Sequence, residues 1–194
     1  VFARVIRILF AIQGGLFALG LLWMDLAGYP FVRSLDALRD TLVFFFLFGG
    51  LWGLELAFSR LFPNSFRHAE ALHRQLGTVL QQGGLTHPVA LGLAVASGLG
   101  EECFFRGALQ SFLLQRLGPL GVLAQAVIFA AFHPVPDRKA WAYPLYTLFA
   151  GLLFGFSYLL SGSLIPGILA HYLHNARGFY ELLEAKPASS GRAG

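Results

Sequence analysis

Charge is what this chain has least of. Only 12% of its 194 residues are Asp, Glu, Lys or Arg, against about 25% in an ordinary soluble domain. That shortfall argues against a water-soluble globule. Cysteine is almost missing: Cys103 stands alone, so no intramolecular disulfide can form and the redox compartment is left open. Lysine is scarce, 2 residues against 12 arginines, a bias that points to a GC-rich, prokaryotic genome. No basic stripe or run exists either. The net charge of +4 is scattered between apolar segments, which excludes a nucleic-acid-binding reading and fits Lys and Arg acting as topology signals beside membrane spans. No internal repeat is visible.

What is abundant is apolar. Hydrophobic residues make up 56% of the chain, with 20 Phe, and the mean hydropathy is +0.64. The length corresponds to one domain. A membrane-crossing helix needs about 20 mostly apolar residues, and six segments qualify as candidates: Val5 to Met24, Thr41 to Phe62, Pro88 to Leu117, the short Leu120 to His133, Ala142 to Leu160, and Leu164 to Leu183. The first is expected to be a retained span rather than a cleaved signal peptide, since it is long and no small-x-small site follows. Glu55 inside the second needs a partner or an interfacial depth. Ser65 to Gln82 differs: Phe66, Ala69, Leu72, Leu76 and Val79 recur near helical spacing with Arg67, Glu70 and Arg74 between them, the pattern of an amphipathic helix at the interface or on the bundle.

The expected fold is therefore all-α, a polytopic membrane helical bundle of about six transmembrane helices plus one amphipathic interfacial helix. Residues 1–64 form two N-terminal spans, 65–84 an amphipathic linker, 85–184 a core of four spans, and 185–194 a disordered tail rich in small polar residues. With six spans, ten Lys and Arg fall on one side and three on the other, Arg106 lying within a span. The positive-inside rule then places both termini in the cytoplasm of an integral protein of a prokaryotic cell membrane.

Several ionisable or amide side chains interrupt these spans, where such groups are rare and face a bundle interior or a wet cavity. Glu102 and Arg106 are four apart with the acid first, the favourable ion-pair order; the pair can be purely structural. Glu101 points about 100° away around the helix and has no basic residue three or four positions off in its own span. An unpaired carboxylate there has its proton affinity raised by desolvation and can serve as a general base or acid near neutral pH. His133 closes "FAAFH", one turn after Phe129; it is either a helix-end cap or a catalytic group. In "HYLHN", His171 and Asn175 share a face, with His174 less well aligned. They can donate to a developing oxyanion, or simply join helices. Cys103 lies beside two carboxylates, the wrong setting for a thiolate, and reads as a small buried residue. Glu101, His133 and His171, with His174 as a fourth candidate, also supply zinc-type ligands, but the HExxH spacing of zincins is missing.

The order E-E-x-x-x-R at 101–106, F-x-x-x-H at 129–133 and H-x-x-x-N at 171–175, on successive spans with one skipped, resembles the CPBP family of CaaX-protease and bacteriocin-processing intramembrane endopeptidases. The resemblance covers roughly 88–178. It implies that Glu101 and His133 hold and activate a water, that His171 and Asn175 stabilise the tetrahedral oxyanion, and that Glu102 and Arg106 support the site. It further implies a glutamate-dependent peptidase with no metal cofactor, acting on a peptide or protein substrate, lipidated or not, at the bilayer. The alternatives are a non-catalytic membrane immunity or binding protein on the same scaffold, a zinc-dependent membrane hydrolase, and a transporter with a proton path through Glu55, Glu101 and Glu102. Neither the natural substrate nor the oligomeric state is legible.

Overall fold

The computed structural model describes residues 2–184; the tail expected to be disordered, 185–194, lies outside the described residues. The described chain is helical from end to end and contains no β-strand. Helices α1 (Phe2–Ala27) and α2 (Ala37–Leu61) come first. Asp36 caps α2 by accepting a hydrogen bond from the Arg39 backbone N–H, which satisfies one of the free donors of the first turn. Pro63 then starts α3 (Pro63–Gln82) at a position where its missing N–H costs nothing. The next stretch, 87–117, is continuous but not uniform: α4 (His87–Glu101) runs into a π-helical segment (Glu102–Gln110) and then into α5 (Ser111–Leu117). Gly118, at φ +57°, makes the turn into α6 (Leu120–Ala131). A short 3-10 turn (Arg138–Ala140) precedes α7 (Ala142–Ser161), and α8 (Ile165–Glu184) closes the described chain.

The amphipathic segment lies on the bundle. Phe66, Ala69 and Leu80 of α3 are buried while Arg67, Glu70 and Arg74 stay exposed. Leu80 joins Ile6, Leu85, Ala90, Leu93 and Leu182 in one core cluster that ties α3 to α1, α4 and α8. A second cluster, Leu47, Leu51, Ala150, Phe154 and Ala170, seats α2 on α7 and α8. Helix α4 packs mainly on α8 and α1, and α6 on α7, so the 87–117 stretch and α8 form the centre.

Four helical stretches, 4–27, 37–61, 87–117 and 138–161, are long and apolar enough to cross a membrane by length and composition. Two of the six expected spans do not meet that standard. Helix α6 has 12 residues, about 18 Å at 1.5 Å per residue, well short of a hydrocarbon core of about 30 Å. Helix α8 has 20 residues but carries His171, His174, Asn175, Arg177, Glu181 and Glu184 along its length. The outer surface matches a lipid environment nonetheless: Ile8, Ile12, Leu22, Leu42, Phe45, Phe46 and Trp52 of α1 and α2 project outward.

Candidate functional site

The polar side chains singled out in the sequence come together where α4 meets the π segment. Glu101 is the last residue of α4, and Glu102, Arg106 and Gln110 follow on the π segment. All four are buried. A π segment is rare and frequently marks a functional site, because its wider turn interrupts the regular helical register. Nothing in the sequence announced it.

Glu102 and Arg106 form the ion pair that their spacing predicts, with Arg106 Nη1 donating to Glu102 Oε1 over 3.0 Å. The remaining guanidinium nitrogens, Nε and Nη2, meet no acceptor. Instead the guanidinium lies over the ring faces of Phe129 and Phe154, 4.3 Å and 4.7 Å from their centroids, where the negative face of each ring stabilises the cation. Glu102 Oε1 also receives His171 Nδ1 at 2.9 Å, reaching in from α8.

Glu101 is not the unpaired carboxylate that its own span suggested. Its partners come from α1, α8 and the turn after α6, which a search along one span could not reveal. From α1, Gln13 Nε2 donates to Glu101 Oε1 at 2.9 Å. On the other side, Oε2 stands 3.6 Å from His133 Nε2 and 3.5 Å from His171 Nε2, and no donor hydrogen-bonds to it. His133 follows the end of α6, and its Nδ1 donates to the Phe129 carbonyl one turn earlier, at 2.8 Å. That bond sets the tautomer of the neutral ring, leaving a lone pair on Nε2. The His133 side chain is 28% exposed while Glu101 is 8% exposed, so the cluster reaches the protein surface at His133.

Asn175 bonds neither carboxylate: its Nδ2 donates to Ser97 Oγ of α4 at 2.7 Å. His174 meets the Tyr146 hydroxyl at 3.2 Å and takes no part in the cluster. Cys103 is buried and free. Glu55 has the partner it needed, forming an ion pair with Arg177 of α8. A cavity of about 370 Å³ lies at the α5 end of the central stretch, lined by Tyr29, Arg33, Ser111 and Gln115 among others, and shares no residue with the cluster. Among the described residues, no group of three or more His, Cys, Asp or Glu side chains is arranged to hold a metal ion.

Sequence reasoning missed Gln13 and Ser97. The signal for Gln13 was present, since an amide inside the apolar run Phe10 to Leu16 is itself a polar group in a membrane span.

Comparison with known proteins bears on one part of the chain. Residues 84–177, which contain every member of the cluster except Gln13, match the family model described as "Type II CAAX prenyl endopeptidase Rce1-like". Comparisons with curated proteins and with solved structures gave no match. The matched family is one of proteases, which implies a peptide or protein substrate, and its membership agrees with the several apolar helices of an integral membrane protein. Over residues 84–177, just under half of its length, the chain is similar to the Rce1-like type II CAAX prenyl endopeptidases of the CPBP family.

Proposed function

We propose that the chain is an intramembrane endopeptidase that hydrolyses a peptide bond in a membrane-associated or lipidated, CaaX-like substrate, using water activated by Glu101. One observation carries this reading. Glu101 Oε2 and His133 Nε2 are two hydrogen-bond acceptors 3.6 Å apart, with no donor satisfying the carboxylate oxygen. A water that donates one hydrogen to each is held with its own lone pair free. As that oxygen attacks the scissile carbonyl carbon, its proton passes to Glu101, which returns it to the departing amine nitrogen.

His171 and Asn175 are assigned to the oxyanion. His171 keeps Nδ1–H on Glu102, so Nε2 can donate to the oxyanion when the ring carries both protons. Asn175 spends one amide hydrogen on Ser97 and retains a second. Glu102 and Arg106 hold His171 in place. The reading assigns no metal to the site. Residues 85–184 act as the catalytic core, with 1–64 and 65–84 as flanking spans and linker.

In the bilayer we read α6 and α8 as completing six spans, with both termini cytoplasmic and the cluster opening at His133 on that side. The packing of α6 on α7 and of α8 on α4 supports this, as does the asymmetry of Lys and Arg. Cysteines introduced singly at Ser34 and Arg138 test it: an impermeant thiol reagent added to the cytoplasmic face reaches the second and not the first, and the reverse pattern refutes the orientation.

The function is tested by cleavage of a mixed peptide library, including farnesylated CaaX peptides, with purified protein in liposomes. Wild type and Glu101→Ala run side by side, each with and without chelator. Cleavage by chelated wild type and none by the variant supports the proposal. Activity lost on chelation and restored by zinc replaces it with a metal-dependent hydrolase. If wild type cleaves nothing while Glu101→Ala complements a knockout strain, the protein is a binding or immunity protein instead.

A further inference from the structure

We infer that Gln13 of α1 is a positioning residue for the base, orienting the Glu101 carboxylate so that Oε2 faces the reacting water. The inference rests on the reading of Glu101 as that base. The terminal torsion of a glutamate is broad, so the plane of an untethered carboxylate is free to rotate and aim neither oxygen squarely at a neighbour. Here the two oxygens are distinguished: Oε1 accepts from Gln13 Nε2 at 2.9 Å, which leaves Oε2 to face the His133 and His171 Nε2 atoms.

The backbone holds Gln13 at this distance. Gly100, immediately before Glu101, lies so near α1 that a Cβ on it would fall 2.5 Å from the Gln13 carbonyl oxygen. Two turns further along α1, a Cβ on Gly20 would fall 2.7 Å from the Phe104 backbone nitrogen. These two close approaches seat α1 directly on the central stretch at Gln13 and two turns beyond it, which puts the Gln13 amide within hydrogen-bond reach of Glu101. An amide in a lipid-facing helix is costly unless it is hydrogen-bonded; α1 spends the Gln13 N–H on Glu101, while the Gln13 Oε1 meets no donor. Gln13 lies outside the family-matched segment 84–177, so that segment does not hold the complete site.

Other groups also act on Glu101: Arg106 on its own stretch, His133 after α6, His171 on α8 and Tyr143 on α7. None of them bonds Oε1 in place of Gln13. The test therefore compares Gln13→Met, which keeps the length and removes the donor, and Gln13→Glu, which keeps the shape and polarity but offers an acceptor where the amide donated. Both are measured as full chains in liposomes beside wild type and Glu101→Gln, on the library peptide that wild type cleaves best.

Gln13→Met should lose about 10- to 100-fold in kcat, the worth of one hydrogen bond to a charged group. KM should stay within about twofold and the melting temperature near that of wild type. The acid limb of its kcat–pH profile should move to higher pH, because the lost N–H bond favoured the ionised carboxylate. Gln13→Glu should lose more, and it decides the matter if Gln13→Met fails to fold. A merely structural Gln13 would lower the melting temperature and leave the pH profile in place, and that result overturns the inference. If Glu101→Gln is inactive while both Gln13 variants keep wild-type kcat, the base assignment survives and this inference falls. If Glu101→Gln cleaves as wild type does, or wild type cleaves no peptide, both fall together.

Discussion

Two acid–arginine pairs of this bundle, one within the π segment and one between α2 and α8, sit in opposite environments. Glu102 and Arg106 are 1% and 0% exposed, with the rings of Phe129 and Phe154 against the guanidinium. Glu55 and Arg177 join α2 to α8 at the rim, 32% and 36% exposed, and Arg177 shares its charge with Glu181 at 3.3 Å. In the interior, removing one partner leaves a charge with nowhere to go. At the rim, water and a spare carboxylate take up the loss. The interior pair also binds His171, so its stability and the chemistry are coupled; the rim pair touches no member of the cluster.

The sharpest way to break this comparison is at the site itself. Glu101→Ala should abolish cleavage, a loss of at least about 100-fold in kcat, while the folded bundle is retained; full turnover would show that the base is misassigned. Next comes Arg106→Met, which strands Glu102 and should cost about 3–5 kcal/mol of stability, read from denaturation in detergent. The double variant Glu102→Met/Arg106→Met should recover much of that stability and none of the activity, since His171 loses its anchor. A double variant as unstable as the single one would mean that the pair is not limited by desolvation. Arg177→Ala should cost no more than about 1 kcal/mol and leave kcat unchanged; a loss like that of Arg106→Met would erase the distinction between interior and rim.

The smallest effect belongs to the loop before α7. The Lys139 backbone N–H, followed by His68 at 2.8 Å, holds the Asp137 carboxyl below the ordinary aspartate range. A depressed carboxylate contributes stability that is fully present above its unfolded value and is lost only as the pH falls through the folded one. Asp137→Asn should therefore lower the melting temperature by only a small margin at neutral pH, with the difference vanishing in strong acid. A difference that grew on acidification would contradict the assignment.

How far these features were legible depends on the range of the interaction. The helices follow from runs of apolar residues punctuated by Pro63, Gly118 and Gly162, and observed boundaries fall within a few residues of the expected ones for α3, α6 and α7. The Glu102–Arg106 pair was readable because both ends lie on one helical face. Glu55 could be recognised as needing a partner, but the partner, Arg177, is 122 positions away. The Gln13–Glu101 bond spans 88 positions and the Asn175–Ser97 bond 78, and no local spacing encodes such pairs. The π segment was equally hidden, because its composition is compatible with an α-helix.

By itself, the amino-acid sequence determined that this chain is helical with apolar runs long enough to cross a membrane, which residues interrupt those runs, and which family model its 84–177 segment matches. Those properties depend on composition, on periods of three to four residues and on short motifs. Tertiary structure alone decided which carboxylate oxygen faces the imidazoles, which helix supplies the amide behind it, and which ion pair lies dry and which lies wet. Hydrogen bonds and desolvation act over a few ångströms between helices, and only the packing of α1, α6 and α8 around the central stretch brings those groups within that distance.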